Sequence, residues 1–306
     1  MQPLLDTIAT LTRPTDAARV FHGRGGLHPG CEHLALDAYP PAWLLTSFQP
    51  LTDAEVAAIG NALAARWAQI APDEPLCWLL QLRHGGRTET RLMAGAVPDP
   101  HVVTEDGTRY GVHLERGQNH GLFLDMAEGR RWVRALAQAR PGLRVLNLFA
   151  YTGAFSVVAL QAGAAQVTNV DMSAGALGIG RRNHALNGIA TGASFLAHDI
   201  FNSWGKLTRG GPYDLVICDP PSFQKGSFVA TKDYPRLLRR LPDLLAPGGH
   251  ALLCLNAPEI GSGFLIDHLQ TEAPTVRLLQ RLPNPPAFAD AAPERALKVL
   301  VAQAPG

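Results

Sequence analysis

Val145-Leu-Asn-Leu-Phe-Ala-Tyr-Thr-Gly-Ala-Phe-Ser156 decides the fold. Val145 to Phe149 is an apolar run of strand length, the residues around Gly153 are small and turn-forming, and an apolar helix follows. An open α/β sheet presents a nucleotide-like ligand in this manner, at the carboxyl end of its first strand. Working outward, a second apolar strand, Gln166 to Val170, ends in Asp171, and a third, Tyr213 to Cys218, ends in Asp219-Pro220-Pro221-Ser222-Phe223. Three strand tips thus carry, in order, a glycine turn, a carboxylate, and a rigid acid–proline loop.

The alternation extends along the whole second part of the chain. Helical patterns are read at Trp132 to Ala139, Ala154 to Ala162, Ala174 to Leu186, Asp233 to Leu245 and Phe264 to Glu272. Strands are read at Val145 to Phe149, Val167 to Val170, Phe195 to Ala197, Tyr213 to Cys218, Ala251 to Leu255, Val276 to Leu282 and Ala296 to Val301. Pro247-Gly248-Gly249 reads as the stop of the fourth helix. Such alternation requires a mainly parallel sheet with helices on both faces.

The first part reads differently. His33 to Ala38 and Ala42 to Phe48 are short apolar segments split by Pro40-Pro41, which predicts strand–turn–strand. Thr52-Asp53 caps a helix from Ala54 to Ile70, with Val56, Ile59, Leu63 and Trp67 spaced by three and four. Leu76 to Leu82, Thr90 to Met93 and Arg109 to Leu114 are further strands, and no Rossmann-type glycine turn occurs among them. Three segments follow: 1–32 as an N-terminal extension with a Gly-rich loop, 33–115 as a small α+β module, and 116–306 as the main α/β domain. The loop Arg19-Val-Phe-His-Gly-Arg-Gly-Gly-Leu-His-Pro-Gly30 is either a flexible connector or a contact for an anion or a base, since exposed backbone N–H groups and Arg suit phosphate.

Composition is that of an ordinary enzyme of 306 residues, long enough for one large or two modest domains. Lys and Arg number 27 against 26 Asp and Glu, a formal charge of +1, which argues against nucleic-acid binding driven by net charge. Acids outnumber bases up to Val112, and the basic excess falls after His113. Cys31, Cys77, Cys218 and Cys254 show no zinc spacing and read as small buried thiols. No metal site, signal peptide or membrane span is expected, and a reducing cytoplasm fits.

A glycine turn, an acid at the next strand tip and an acid-Pro-Pro-aromatic loop together resemble the class I S-adenosylmethionine (SAM) methyltransferases. Further pieces narrow the resemblance: Gly117-Gln118 with Gly121-Leu-Phe-Leu-Asp125, Val170-Asp-Met-Ser173, Asp199-Ile-Phe201, Lys232-Asp-Tyr234, Pro247-Gly-Gly249 and Pro293-Glu-Arg-Ala-Leu-Lys298. As a set they are similar to the large-subunit ribosomal RNA methyltransferase K/I-like family, whose members make 5-methylcytosine or 7-methylguanine. The resemblance implies a Rossmann-like class I methyltransferase fold, with a mainly parallel seven-stranded sheet behind a small N-terminal α+β module. It also implies SAM as cofactor. The SAM site would be lined by Gln118, Gly121, Phe123, Asp125, Asn147, Phe149, Tyr151, Thr152, Gly153, Asp171, Met172, Asp199 and Ile200. Asp171 is placed to accept both ribose hydroxyls or to cap the helix near Ser173, and Asp199 to accept from the adenine amino group or to cap a turn.

The catalytic set expected is Asp219, Pro220, Pro221, Phe223 and Asn256. Two prolines stiffen the loop and remove donors, so a target amine can donate to Asp219 and to the Pro220 carbonyl while Phe223 stacks on the base. Lys225, Lys232, Arg236, Arg239 and Arg240 follow, either as a phosphate contact or as a solvated helix face. The chain departs from the 5-methylcytosine members, which use a cysteine just after the strand following Pro-Gly-Gly; Ala257 stands there, and Cys254 falls inside the strand. Carbon-5 methylation needs a thiolate adduct, so the expected reaction is methyl transfer to nitrogen of an RNA base, in ribosomal RNA. The alternative is a small-molecule or protein methyltransferase with the front module as a lid. RNA is the expected partner, and assembly is open between monomer and homodimer.

Overall fold

The structure, a computed structural model, describes residues 1–221 and 228–306 in full and Phe223 and Gln224 as strand only; Ser222, Lys225, Gly226 and Ser227 lie outside the described residues. The chain forms two compact units, one of residues 1–125 with 285–293 and one of residues 126–284 with 294–306.

The first unit contains α1 (Gln2–Ala9), β1 (Ala18–His22), β2 (Leu34–Tyr39), β3 (Ala42–Ser47), α2 (Asp53–Ile70), β4 (Cys77–His84), β5 (Arg87–Ala94), β6 (His101–Glu105) and β7 (Thr108–Val112). β1 to β5 form one sheet in chain order, antiparallel except for the β3–β4 pair, which is parallel and joined by α2. β6 and β7 are a separate hairpin. The helix of α2 starts where Thr52 and Glu55 cap each other reciprocally. Ile59, Leu63 and Trp67 are its buried positions, as their spacing predicts, and Trp67 meets Trp43 edge to face.

Residues 1–32 do more than extend the chain. Leu4 and Ile8 of α1 are fully buried in the core of the sheet, with Phe21 of β1 beside them. The helix is only two turns long, too short for its periodicity to stand out from sequence.

The second unit contains α3 (Ala127–Ala139), β8 (Arg144–Leu148), α4 (Ala154–Gln161), β9 (Gln166–Asp171), α5 (Ala174–Leu186), β10 (Ala193–Ala197), α6 (Trp204–Gly210), β11 (Tyr213–Cys218), β12 (Phe223–Gln224), β13 (Phe228–Val229), α7 (Ala230–Leu238), α8 (Leu241–Leu244), β14 (Leu245–Leu255), α9 (Ser262–Glu272), β15 (Arg277–Leu282) and β16 (Lys298–Gln303). Among the described residues seven strands make one sheet in the order β10-β9-β8-β11-β14-β16-β15, with the antiparallel β16 the exception to an otherwise parallel arrangement. Alternate strand residues feed opposite cores: Leu146, Leu148, Val216, Cys218 and Leu253 on one face, Val145, Leu215, Ile217, Leu252 and Cys254 on the other. The α/β class and seven-stranded sheet expected from the sequence are thus borne out.

Two local readings differ. The helix expected over Asp233 to Leu245 is two pieces, α7 and α8, because Pro235 inside α7 and Pro242 at the start of α8 each remove a backbone donor. Pro247-Gly248-Gly249 does not stop a helix. It lies within β14, where Tyr213 pairs with Leu245 but Leu215 pairs with His250, so residues 246–249 bulge. Gly248 takes the left-handed φ of 68°, and a Cβ on Gly249 would come within 2.8 Å of the Ala246 carbonyl oxygen.

Replacing Thr52 by Ala removes one half of the reciprocal cap and is expected to destabilise the first unit by about 1 kcal/mol. Urea denaturation followed by tryptophan fluorescence checks this, since Trp43, Trp67 and Trp78 report on that core.

Candidate active site

β8 lies between β9 and β11, the point at which chain order reverses across the sheet and a crevice opens at the carboxyl ends of the strands. The register aligns these ends: Leu148 pairs with Val170 on one side and with Cys218 on the other. Phe149, Asp171 and Asp219 are the next residues of their respective strands and therefore stand in one row.

The turn after β8 is backbone under tension. Phe149, Tyr151 and Gly153 have φ of 57°, 47° and 70°, two of them side-chain-bearing residues in the left-handed region. Such residues cost about 1–3 kcal/mol each and persist where neighbours over-determine them. Here the neighbours are explicit. Asp171 accepts from the Tyr151 amide at 2.8 Å and from the Ser173 amide at 2.8 Å, one per carboxylate oxygen. The Ala150 amide donates to the Val170 carbonyl, and the Gly153 amide to that of Ala150. Ser173, not Asp171, caps α5 by accepting from Ala176. Each Asp171 oxygen keeps a second acceptor direction, and the adjoining Met172 is 57% exposed.

Beneath the turn runs a buried polar chain. The Asn147 side chain, fully enclosed, donates to Asn169 Oδ1 at 2.9 Å. Asn169 Nδ2 donates to Ser156 Oγ at 2.9 Å, and Ser156 meets His184 Nε2 at 2.8 Å. His184 Nδ1 lies 2.7 Å from the Gly180 carbonyl, which can only accept, so Nδ1 carries the proton and Nε2 accepts from Ser156. Asn183 donates to the Thr152 carbonyl at 3.0 Å. Asn147 and Thr152, expected to line the cofactor, are both buried; the Asn147 side chain reaches Asn169 from below the turn. Gly180 lets α5 approach, since a Cβ there would come within 3.3 Å of the Thr152 carbonyl oxygen.

Asp199 accepts from the Phe201 amide at 2.9 Å and from Asn202 at 2.6 Å, closing the 3₁₀ turn that buries Ile200. It is a turn cap whose carboxylate lies just past the end of β10. Gln118, Gly121, Phe123 and Asp125 belong to the first unit. Gly121 has φ of 102° and would place a Cβ 2.7 Å from the Gly111 carbonyl oxygen; Gln118 donates to Thr88 at 2.7 Å; Phe123 is exposed.

On the β11 side Asp219 is half-buried, Pro220 buried and Pro221 half-buried. The Phe223 side chain and Lys225 lie outside the described residues. Asn256 is exposed immediately after β14. Two residues not singled out by role in the sequence hold these tips. The enclosed Tyr234 hydroxyl donates to the Cys254 carbonyl at 2.8 Å, with the Cys218 carbonyl at 3.4 Å. Fully buried Lys298 donates to the carbonyls of Ala257 at 2.6 Å and Glu294 at 3.0 Å, and burial lowers its pKa. The strand ends before Asp219 and around Asn256 are therefore pinned by one hydroxyl and one ammonium. Both residues sit in quoted motifs, Lys232-Asp-Tyr234 and the segment ending at Lys298, but only their contacts reveal the role.

All four cysteines are free and buried. Burial, and then the Asp219 charge, push the Cys218 thiol up to about 12, and Cys254 packs against Met126 in the core. Three of the five residues of the basic run have carboxylate partners. Arg236 pairs with Asp233 at 2.8 Å and stacks on Phe201, Arg239 pairs with Glu272 at 2.7 Å, and Arg240 lies 3.7 Å from Asp243. Among the described residues no His, Cys, Asp and Glu cluster could hold a metal, and no helix is long and apolar enough to cross a membrane.

A parallel sheet with a strained turn, a strand-tip carboxylate and an acid-Pro-Pro loop at its switch point is the layout of a class I methyltransferase. The chain belongs to the S-adenosylmethionine-dependent methyltransferase family, whose model matches residues 18–303. It is 36% identical over 174 residues to ribosomal RNA large subunit methyltransferase I of Aeromonas hydrophila, covering 55% of this chain and 43% of that protein. It is 33% identical over 251 residues to a ribosomal RNA large subunit methyltransferase of Deinococcus radiodurans, covering 77% and 58%. The chain thus spans about half the length of the curated relatives it matches. The solved structure of SMU.776 complexed with SAH superposes with a TM-score of 0.81 at 26% identity, over 95% of this chain and 76% of that one. The family resemblance read from the sequence is borne out, and SAM is the cofactor of the family.

Ser156→Ala leaves His184 Nε2 buried without its donor and is expected to cost about 1–3 kcal/mol in urea denaturation. Burial also depresses the His184 pKa below its ordinary 6.5. The unfolded chain then binds the proton first on acidification, so His184 contributes full stability above pH 6.5 and loses it as pH falls below that value. Denaturation midpoints measured from pH 7.5 to 5 are expected to fall with pH, and by less in a His184→Gln variant.

Proposed function

We propose that this chain transfers a methyl group from SAM to a nitrogen of an RNA base, with ribosomal RNA as the substrate. The observation that carries the reading is the single row formed by the strained turn, Asp171 and Asp219 at the carboxyl ends of β8, β9 and β11. The donor set fits SAM: a carboxylate with acceptor directions to spare at Asp171, exposed apolar surface at Met172, and a turn held open in left-handed backbone. In this reading Asp171 takes the ribose hydroxyls, Met172, Asp199 and Ile200 flank the adenine, and Phe149, Tyr151, Thr152 and Gly153 follow the methionine end. Asn147 acts from below, as a positioning residue. Gln118, Gly121, Phe123 and Asp125 are assigned to the same cofactor on the resemblance alone.

Bound SAM supplies an electrophilic methyl on a sulfonium sulfur. The protein aligns an acceptor with it. Asp219 and the Pro220 carbonyl accept from the target amine, Pro221 keeps that carbonyl from turning, and Phe223 stacks on the base. Asn256 offers both a donor and an acceptor to the base edge. Tyr234 and Lys298 hold the backbone from which these groups project.

Nitrogen is favoured over carbon-5 because carbon-5 attack needs a thiolate at the base, and all four cysteines of the chain are buried. RNA is favoured by the names of the similar proteins, which are ribosomal RNA large subunit methyltransferases. Free, buried thiols also suit a reducing cytoplasm.

Asp219→Ala is expected to lower methyl transfer from labelled SAM to unmodified ribosomal RNA by about a hundredfold or more, with SAM binding by calorimetry unchanged. Asp171→Ala is expected to weaken SAM binding by about tenfold or more, the worth of one charge-assisted hydrogen bond. Unchanged turnover in the first variant would remove Asp219 from the reaction. Mass spectrometry of the product nucleoside distinguishes nitrogen from carbon-5, and label entering a metabolite extract but not RNA would favour the small-molecule alternative.

A further inference from the structure

The loop from His22 to Gly30 is built, not slack. A Cβ on Gly23 would overlap the Cys31 carbonyl oxygen at 1.7 Å, and one on Gly25 the Ala289 carbonyl oxygen at 2.1 Å. The Gly25 carbonyl accepts from Ala291 at 2.7 Å, and the Cys31 amide donates to His28 at 3.0 Å. Glycine is required here for close approach rather than for mobility.

At the apex of this loop stands Arg24, exposed, with its guanidinium 4.1 Å from the centre of the Phe48 ring. Arg83 of β4 approaches the same ring at 5.8 Å. Arg83 is steered there by its own hydrogen bonds, to Gln81 Oε1 at 2.5 Å and to the Gln118 carbonyl at 2.7 Å, neither of which cancels its charge. The nearby acid, Asp37, is already consumed by a bidentate pair with Arg19 at 2.7 and 2.9 Å. Neither Arg24 nor Arg83 has an ion-pair partner among the described residues. His22 and His120 add no charge at neutral pH, because burial first, with Arg19 and Arg24 around His22 and Arg83 near His120, holds each at about 4. Arg19 and Arg24 repel each other, which lowers the Arg24 pKa beyond the effect of burial.

Two uncompensated guanidinium groups are therefore fixed around one aromatic ring in the first unit. The contrast with the second unit is informative: of the five basic residues that the sequence singled out, Arg236, Arg239 and Arg240 each have a carboxylate partner, and Lys225 lies outside the described residues. With a net charge of only +1, the chain has no general attraction for a polyanion and must rely on local sites of this kind. Arg presents planar forks that match phosphate oxygens, and the ring beneath the Arg24 guanidinium meets its face rather than its edge donors, while Arg83, with Nε and Nη2 engaged, keeps Nη1.

We propose that Arg24 and Arg83, gathered on Phe48, form a clamp for a backbone phosphate of the RNA substrate. This rests on the RNA reading above and adds to it a docking contact in the first unit. The contact is to phosphate, so it positions the RNA without reading its sequence.

The experiment measures binding of the whole protein to in-vitro-transcribed, unmodified large-subunit ribosomal RNA across a salt series, alongside SAM calorimetry. Arg24→Ala is expected to weaken RNA binding about tenfold at low salt and to reduce the slope of log affinity against log salt by about 1. Arg24→Lys is expected to recover the slope, SAM affinity to stay constant, and the thermal transition to stay in place. An Arg24→Ala protein that binds RNA with wild-type affinity and slope overturns the clamp while leaving the RNA reading standing. A loss of SAM affinity with an unchanged salt slope also overturns it, by assigning Arg24 to a carboxylate instead. A wild-type protein that does not bind this RNA overturns the RNA reading, and the clamp with it.

Discussion

The carboxylate of Asp171 holds two backbone segments at once. One oxygen takes the Tyr151 amide of the turn after β8, and the other takes the Ser173 amide that opens α5. That bridge is one of the contacts that hold Phe149 and Tyr151 left-handed, a conformation that costs about 1–3 kcal/mol for each. The same residue thus maintains the shape of the turn and, in the proposed reading, offers its remaining acceptor directions to the cofactor. Its position follows from strand register, which sets Val170 beside Leu148 and so places Asp171, the last residue of β9, one step past the end of β8.

Support for this point comes from below and from the side. The chain Asn147–Asn169–Ser156–His184 fills the space under the turn with satisfied hydrogen bonds, at the cost of keeping an imidazole neutral in the interior. Across the sheet, Tyr234 and Lys298 fasten the carbonyls that precede and follow Asn256. The flanking strands are thus fixed by polar contacts to backbone, which tolerate less displacement than apolar packing would. A site that works by aligning two partners, rather than by supplying a strong acid or base, has use for that stiffness.

Charge is distributed to the same end. The total is close to neutral, and Arg236, Arg239 and Arg240 each have a carboxylate partner, so the charge of these arginines is balanced locally. The first unit keeps the bidentate pair Arg19–Asp37 inside the cluster and leaves Arg24 and Arg83 around Phe48. In the proposed clamp, low global charge limits non-specific capture and a local cation pair supplies affinity for a substrate that arrives in the right orientation.

The residues at the strand tips were legible in the sequence because they are local: an apolar run followed at once by a glycine turn, an acid or an acid-Pro-Pro loop announces both the strand and what its end carries. The sheet class followed from alternation, and α2 from its spacing and cap. Other features were not legible, and the reasons are physical. α1 is too short to show a period, and Pro247-Gly-Gly has the same composition whether it stops a helix or bulges a strand; only pairing of Leu215 with His250 decides. Whether an asparagine faces ligand or core, whether a run of arginines is compensated, and whether a glycine loop is slack or clamped all depend on partners distant in sequence. Asn147, Arg236 and Gly23 were settled by Asn169, Asp233 and Cys31. The sequence by itself determined the alternation of strands and helices and which residues stand at the strand tips; tertiary structure alone decided the order of the strands in the sheet and which side chains meet, because contacts between segments far apart in the chain leave no periodic trace in either one.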